Sequence, residues 1–338
     1  MAPGLPAVTA IMPVRNDAAY LAAAVESVVS QSYDGQLDLV IAVAPSDDKS
    51  EGEAEALAAN HERVRMVPNP SGGTAAGLNA ALASATGDII VRVDAHCELA
   101  PTYVATAAAS LRQHSAANVG GVQAATGATR FECAVASAMT SRFGVGDAKF
   151  HYGGTPGPVD TVYLGVFEAE ALRSVGGFDE SLKRNQDYEL NWRLREAGHT
   201  IWFDPELRVT YRPRGTLRSL ARQYFEYGQW KREVIRRHPR SLKARQAIAP
   251  LTVVGLAVGF AGAATGRRWM FAAPLTYAAA VLAGAAQAAR SGGQFARLVA
   301  VFPAMHLSWG AGFLVGPASV DGEPPLGAAT RPHWGGHD

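Results

Sequence analysis

The sequence predicts an α/β domain, a mostly parallel sheet with helices on both faces, followed by apolar C-terminal helices. Three observations carry this expectation. Up to about residue 210, strand-like and helix-like segments alternate, as in a chain of βαβ units. Polar clusters fall where apolar runs end, at Arg15-Asn16-Asp17, Ser46-Asp47-Asp48 and Asp94-Ala95-His96. Ligands of such sheets bind outside the carboxyl ends of the strands. From Ile248 onward come stretches of roughly 20 residues without charge, the length that crosses a ~30 Å hydrocarbon core.

In chain order, 8–12 is a short apolar strand ending at Pro13, and 18–31 has helical spacing through Leu21, Val25 and Val28. A second strand covers 37–43 and a second helix 51–59, then a strand at 64–67 and a helix at 74–85. The fourth strand, 89–93, climbs out of the Gly87-Asp88 turn and finishes on Asp94 and His96. Residues two apart on an extended segment point the same way, so a carboxylate and an imidazole could face one metal ion. Further on, Gly176-Gly177-Phe178-Asp179-Glu180 precedes 185–194, a loop running into a helix with acids at its start.

The tail is different. Residues 248–266 are uncharged, Arg267-Arg268 interrupts, 269–289 is uncharged again, and 298–320 follows with His306 inside it. We read these as two to three transmembrane helices within 247–320; the competing reading is a buried helical hairpin. Between Arg208 and Arg245 stand twelve Lys or Arg against Glu226 and Glu233. Leu217, Leu220, Tyr224 and Tyr227 recur there at helical spacing, so 215–246 is expected to be a basic amphipathic segment on anionic lipid. By the positive-inside tendency it faces the cytoplasm, with Arg267-Arg268 a mild conflict. A multi-pass plasma-membrane protein with a cytoplasmic catalytic domain follows, with a polar tail at 321–338.

Composition narrows the classes further. The formal charge of the 338-residue chain is +1, so it bears no overall signature of nucleic-acid binding. Cys97 and Cys133 provide neither a disulfide framework nor metal-ligand spacing. The N-terminus, with Pro3 and Pro6, lacks the pattern of a signal peptide.

Taken together, Pro13-Val14-Arg15-Asn16, the acidic loop 44–50, the glycine turn 69–79, Val93-Asp94-Ala95-His96 and Gln186-Asp187 resemble, in order and spacing, the family 2 glycosyltransferases. Val159-Asp160-Thr161-Val162, Arg212-Pro213-Arg214 and 223–230 look like the membrane-bound subgroup similar to succinoglycan-biosynthesis glucosyltransferases. The resemblance covers about residues 8 to 240 plus the tail. It implies a GT-A, Rossmann-like catalytic domain, placed at 1–214, and an inverting transfer of a hexose from a nucleotide-sugar donor, with UDP-glucose the leading candidate. The acceptor would be a lipid-linked sugar or a glycan in cell-surface polysaccharide synthesis, alongside other proteins of that pathway and membrane lipid.

By the same resemblance, Asp94 and His96 occupy the metal-binding Asp-x-Asp position and Asp187 that of the catalytic base. Asp48 best matches the acid that contacts the uridine, with Asp47 the alternative, and Pro13, Arg15, Gly73 and Asp88 would complete the nucleotide pocket. Gln223 and Trp230 fall near a box that holds acceptor or donor in processive relatives. Asp160 is a candidate acceptor-site acid beside a structural alternative, Gln186 stands in the catalytic pair, and His151 and Tyr152 are expected in a loop over the acceptor. His96 replaces the second aspartate, and imidazole suits Mn²⁺ better than Mg²⁺. Two rival readings are synthesis of a polyprenyl-phosphate monosaccharide and a catalytically degenerate, membrane-tethered scaffold.

Overall fold

The computed structural model describes residues 4–318, so the expected polar tail lies outside the described residues. In chain order the elements are β1 (Val8–Val14), α1 (Ala18–Val29), β2 (Leu37–Val43), α2 (Ser50–Asn60), β3 (Val64–Pro68), α3 (Thr74–Ala83), β4 (Ile89–Arg92), α4 (Tyr103–His114) and β5 (Asn118–Ala125). There follow α5 (Arg130–Met139), α6 (Arg142–Val145), α7 (Lys149–Tyr152), β6 (Gly157–Pro158), β7 (Tyr163–Glu168), α8 (Ala169–Ser174), α9 (Gln186–Glu196) and β8 (Ile201–Tyr211). The chain closes with α10 (Leu217–Arg237), α11 (Ala244–Ala264), α12 (Ala272–Ala288) and α13 (Gly292–Val315).

One eight-stranded sheet runs in the order β3-β2-β1-β4-β7-β5-β8-β6. β1 pairs in parallel with β2 and β4, and β2 with β3, so the ends of all four carry their loops to one edge. β7 then runs antiparallel to β4 and β5, which makes the second half of the sheet mixed. Strands buried on both faces read as unbroken apolar runs, and β1 and β4 are buried almost throughout. The expected 74–85 helix stops at Ala83, and the 18–31 helix stops at Val29 because Gln31 has other partners. Its amide donates to the Ser27 and Ala100 carbonyls and accepts from the Val104 amide, tying α1 to α4.

By internal contacts the chain divides into two compact units. One holds Met1–Gln123 and Gly153–Thr210; the other holds Ala124–Tyr152 and Tyr211–Ser319. Residues 124–152, which the sequence places inside the 1–214 domain, therefore belong with the apolar helices. In that second unit α5 begins in a reciprocal capping box of Thr129 and Glu132. Leu220, Phe302, Val281 and Ala138 share its buried core. Among the described residues three helices are long and apolar enough to cross a membrane: Ala244–Ala264, Arg268–Ala288 and Gly292–Val315. The expected basic segment forms α10, but it is not a lone surface helix: Leu220, Gln223, Trp230 and Val234 are all buried.

Candidate active site

The site starts from an arginine inside a strand. Arg92 ends β4 with its side chain 7% exposed, and a buried cation needs partners to offset its lost hydration. Two carboxylates supply them. Arg92 Nη2 lies 3.1 Å and Nε 3.3 Å from Asp94 Oδ1, while Nη1 donates to Asp187 Oδ1. Burial works against the guanidinium charge, yet Asp187 and Asp94 together hold it firmly protonated. Sequence reading missed this residue. Its signal was a charge within the apolar run Ile89-Ile90-Val91-Arg92-Val93.

Asp187 stands in the first turn of α9, where the helix dipole favours a carboxylate. Burial pushes its pKa above the usual carboxylate range, Arg92 pulls it back, and Asp94 adds to the rise. The carboxylate still keeps 28% exposure, enough to meet a ligand. Behind it α9 is anchored on several sides. Glu189 pairs with Arg193, whose guanidinium also reaches the Val175 and Gly177 carbonyls. Asn191 accepts from Asn118 and donates to Thr161 Oγ1. Gln186 is buried and donates to the Lys183 carbonyl, so it starts the helix rather than lining an opening.

The loop before α9 is held from α3. Asn79 accepts from the Phe178 amide at 2.9 Å and donates to the Phe178 carbonyl and to Glu180. Gly177 has φ +69°, and a Cβ there would strike Asn79 Oδ1, so the glycine pair is a requirement of this staple.

Two residues past Asp94, His96 Nδ1 lies 3.2 Å from Asp17 Oδ1. Asp17 belongs to a polar cluster visible in the sequence but was given no role there. The ligand atoms of Asp94, His96 and Cys97 lie within 4.8 Å of one another. Burial, reinforced by Asp94, pushes the Cys97 thiol up to about 12, and its sulfur lies 3.6 Å from the Tyr163 hydroxyl. The Asp94 carboxylate and the His96 imidazole, with the Cys97 sulfur beside them, form a donor set that fits a divalent cation of the Mn²⁺ type.

The loops after β1, β2 and β3 interlock at the same edge. Asn16, at φ 57°, accepts from the Asp47 amide at 2.7 Å, and its own amide donates to Ser46 Oγ. Asp48 accepts from the Ala18 and Ser50 amides through its two oxygens. Those bonds, the Ser50 contribution first, hold it below the usual carboxylate range. Arg15 reaches the Gly72 carbonyl at 3.3 Å, and Gly73 caps α3, which closes against Pro13 through Gly77.

Not every expected residue arrives. Asp88 precedes β4 and accepts from the Ala7 amide at the amino edge of the sheet. At about 3.3 Å per residue it stands roughly 20 Å from Asp94, so it is no part of this edge. Asp160, by contrast, does lie at the carboxyl edge, in the loop before β7, whose antiparallel register against β4 puts Tyr163 level with the end of that strand. Gln223 and Trp230 belong to the second unit, where Gln223 donates to the Tyr211 and Tyr227 hydroxyls and Trp230 is buried. His151 and Tyr152 form a helical turn of that unit, and burial drives the His151 pKa down to about 3.

Comparison with known proteins places this arrangement. The family described as glycosyl transferase family 2 matches residues 9–176. The succinoglycan biosynthesis protein ExoA of Rhizobium meliloti (strain 1021) is 31% identical over 308 residues, 90% of this chain and 92% of that protein. A dolichyl N-acetyl-glucosaminyl phosphate diacetamido-dideoxy-glucuronosyltransferase of Methanococcus voltae is 21% identical over 239 residues, 68% of this chain and 74% of its own length. Among solved structures, mannosyltransferase PcManGT from Pyrobaculum calidifontis, in complex with GDP-Man and Mn²⁺, superposes with a TM-score of 0.63 at 21% identity. That match covers 88% of this chain and 86% of PcManGT, and it establishes a shared fold.

Proposed function

The chain is a family 2 glycosyltransferase, and from that membership we propose that it moves a hexose from a nucleotide-sugar donor onto a lipid-linked or glycan acceptor, with inversion, at the Asp94–Arg92–Asp187 cluster. One observation carries the assignment of the site. A single buried arginine gathers the aspartate after β4, two residues away, and the aspartate opening α9, 95 residues from it in sequence, at the edge where sheets of this kind bind ligands. Succinoglycan biosynthesis in the relative supports an acceptor in cell-surface polysaccharide synthesis.

In the proposed reaction an acceptor hydroxyl attacks the anomeric carbon and forms the new glycosidic bond. The bond from that carbon to the diphosphate oxygen breaks on the opposite face, and the nucleoside diphosphate leaves with the bonding electrons. Asp187 takes the hydroxyl proton, a contribution of about 10²–10⁴ in rate for a positioned base. Arg92 keeps that carboxylate aimed and favours its charged form. Asp47, whose carboxylate is not engaged in the α1 cap that occupies Asp48, is the acid we assign to the nucleoside. Pro13, Arg15 and Gly73 shape the rest of that pocket.

Asp94 and His96 would hold a divalent cation, which when bound supplies Lewis-acid neutralisation of the leaving diphosphate. Because His96 contributes nitrogen, Mn²⁺ should support turnover at least as well as Mg²⁺ in a metal-titrated assay. Faster turnover with Mg²⁺ would count against direct ligation by His96.

We also place the protein in the plasma membrane, with the first unit in the cytoplasm, supported by the apolar helices and the basic residues preceding them. The test of the functional reading is a donor screen by nucleotide release from membranes containing the full chain. One or a few nucleotide sugars should give acceptor-dependent release. If none does across uridine, guanosine and thymidine donors, the reading fails.

A further inference from the structure

Of the three apolar helices, α13 packs unlike a membrane span. α11 and α12 form an antiparallel hairpin closed at its tip, where Gly259 faces Pro274 and Met270. With those residues opposed, Ala249 stands level with about residue 284, near the open end. α13 meets α12 there, sharing a buried cluster with Val281 and Ala285 through Phe302. It meets α11 at the same level, where a Cβ on Gly310 would strike the Ala249 carbonyl. The two contacts are eight residues apart on α13, about 12 Å, close to the 8–10 Å between neighbouring helix axes. α13 also meets Tyr277 of α12 through His306, whose Nδ1 lies 3.4 Å from the tyrosine hydroxyl, so it crosses the base half of the hairpin obliquely and touches both members.

A second helix follows it. α10 lies along α13 in the same direction: Leu220 packs in the Phe302 cluster, and Gln229 donates to the Gly316 carbonyl at 2.7 Å. Between these points a Cβ on Gly228 would collide with the Trp309 carbonyl, and one on Gly312 with the Phe225 carbonyl. Backbones this close cannot separate freely. Over the paired stretch, from Leu220 to Gln229, α10 carries Arg222 and Glu226, so any path that takes α13 through hydrocarbon drags those charges with it. The large exposed apolar side chains tell the same story. Leu251, Val254, Val258 and Phe260 of α11 and Leu275 of α12 are exposed, whereas on α13 they are confined, among the described residues, to Leu314 and Val315 at its end.

Resting on the membrane attachment proposed above, we infer that only the α11–α12 hairpin crosses the bilayer, while α13 lies across its base beside α10. The hairpin tip carries Arg267 and Arg268, both exposed, whose charges need the headgroups of the far leaflet. The chain after α13 then returns to the side that holds α10.

Cysteine accessibility in the full-length protein tests this, in a Cys133→Ser background, since Cys97 is buried. Thr265→Cys, at the tip, and Ala318→Cys, after α13, are made separately and treated with a membrane-impermeant maleimide. Labelling of the tip variant in spheroplasts, with labelling of the Ala318→Cys variant only in inverted vesicles, is the expected result. Labelling of the Ala318→Cys variant in spheroplasts would establish three spans and overturn the inference. A tip variant that resists label in spheroplasts while the protein withstands alkaline carbonate would reduce the hairpin to a dip and overturn the crossing. Release of the protein by carbonate would instead overturn the membrane attachment on which the inference rests.

Discussion

At the scale of single residues the account turns on Arg92. Two carboxylates near one another would repel, and burial alone raises the pKa of Asp187. The guanidinium between them makes the pair tenable. Replacing Arg92 by Gln leaves two partly buried carboxylates without their cation, a change that typically costs about 3–5 kcal/mol. The sign of the effect on activity follows from the base role. Asp187 works deprotonated, its pKa is already raised, and Arg92 opposes that rise, so losing Arg92 moves the acid limb of kcat/KM to higher pH. Arg92→Lys, which retains a charge, should move the limb less. A limb that stays put in Arg92→Gln would show that the arginine does not act through Asp187.

The two acids after β2 separate by their partners. Asp48 accepts from the first amide of α1 with one oxygen and from the first amide of α2 with the other, so Asp48→Ala should cost about 0.5–2 kcal/mol of stability, read as a lower Tm. Asp47→Ala should leave Tm unchanged within error and raise KM for the donor about tenfold or more. The reverse pattern would exchange the two roles.

At the scale of elements, magnitudes decide the place of α13. Taking α10 into the bilayer beside it would bury Arg222 and Glu226 at about 2.5–3.5 kcal/mol each, or about 6 kcal/mol in all. The Leu, Phe and Val residues of α13 return about 0.3–0.6 kcal/mol each, so the nine of them supply about 4 kcal/mol. The charges win, and the helix stays out. The close crossing of α10 and α13 also gives a stability test. Gly312→Ala must push two backbones apart and should cost about 1–3 kcal/mol. Gly52→Ala, in an exposed turn of α2 with open space around it, should instead gain about 0.5–1 kcal/mol. Thermal unfolding in detergent compares the two, and a Gly312→Ala protein as stable as Gly52→Ala would refute the tight crossing.

The first four strands and their helices were legible in the sequence because each strand is an apolar run bounded by a turn, and such runs depend little on distant partners. The mixed half of the sheet was not. β7 joins between β4 and β5 only through long-range pairing, which local periodicity does not encode. Asp94 and Asp187 were legible because they sit beside turn and helix-start signals. Arg92, Asn79 and Arg193 were not, since their roles lie in contacts across 95, 99 and 16 residues. Asp88 misled for a related reason. It stands six residues from Asp94, but the intervening strand carries the two to opposite edges.

At the scale of the whole molecule, the chain combines a glycosyltransferase domain with a unit whose described residues include helices long and apolar enough to cross a membrane. An almost neutral total charge hides a basic stretch ahead of the apolar hairpin, a composition that suits a cytoplasmic membrane face. On the proposed membrane placement the enzyme would meet acceptors that reside in the membrane, so membranes containing the full chain are the sample in which to test it. The claim on which the rest depends is that Asp187 removes the acceptor proton. It is tested most directly by nucleotide release from membranes carrying wild type or Asp187→Asn at equal protein level, with the active donor and saturating Mn²⁺. The account predicts a rate lower by about 10²–10⁴ in the variant with donor binding retained; release at the wild-type rate would contradict it.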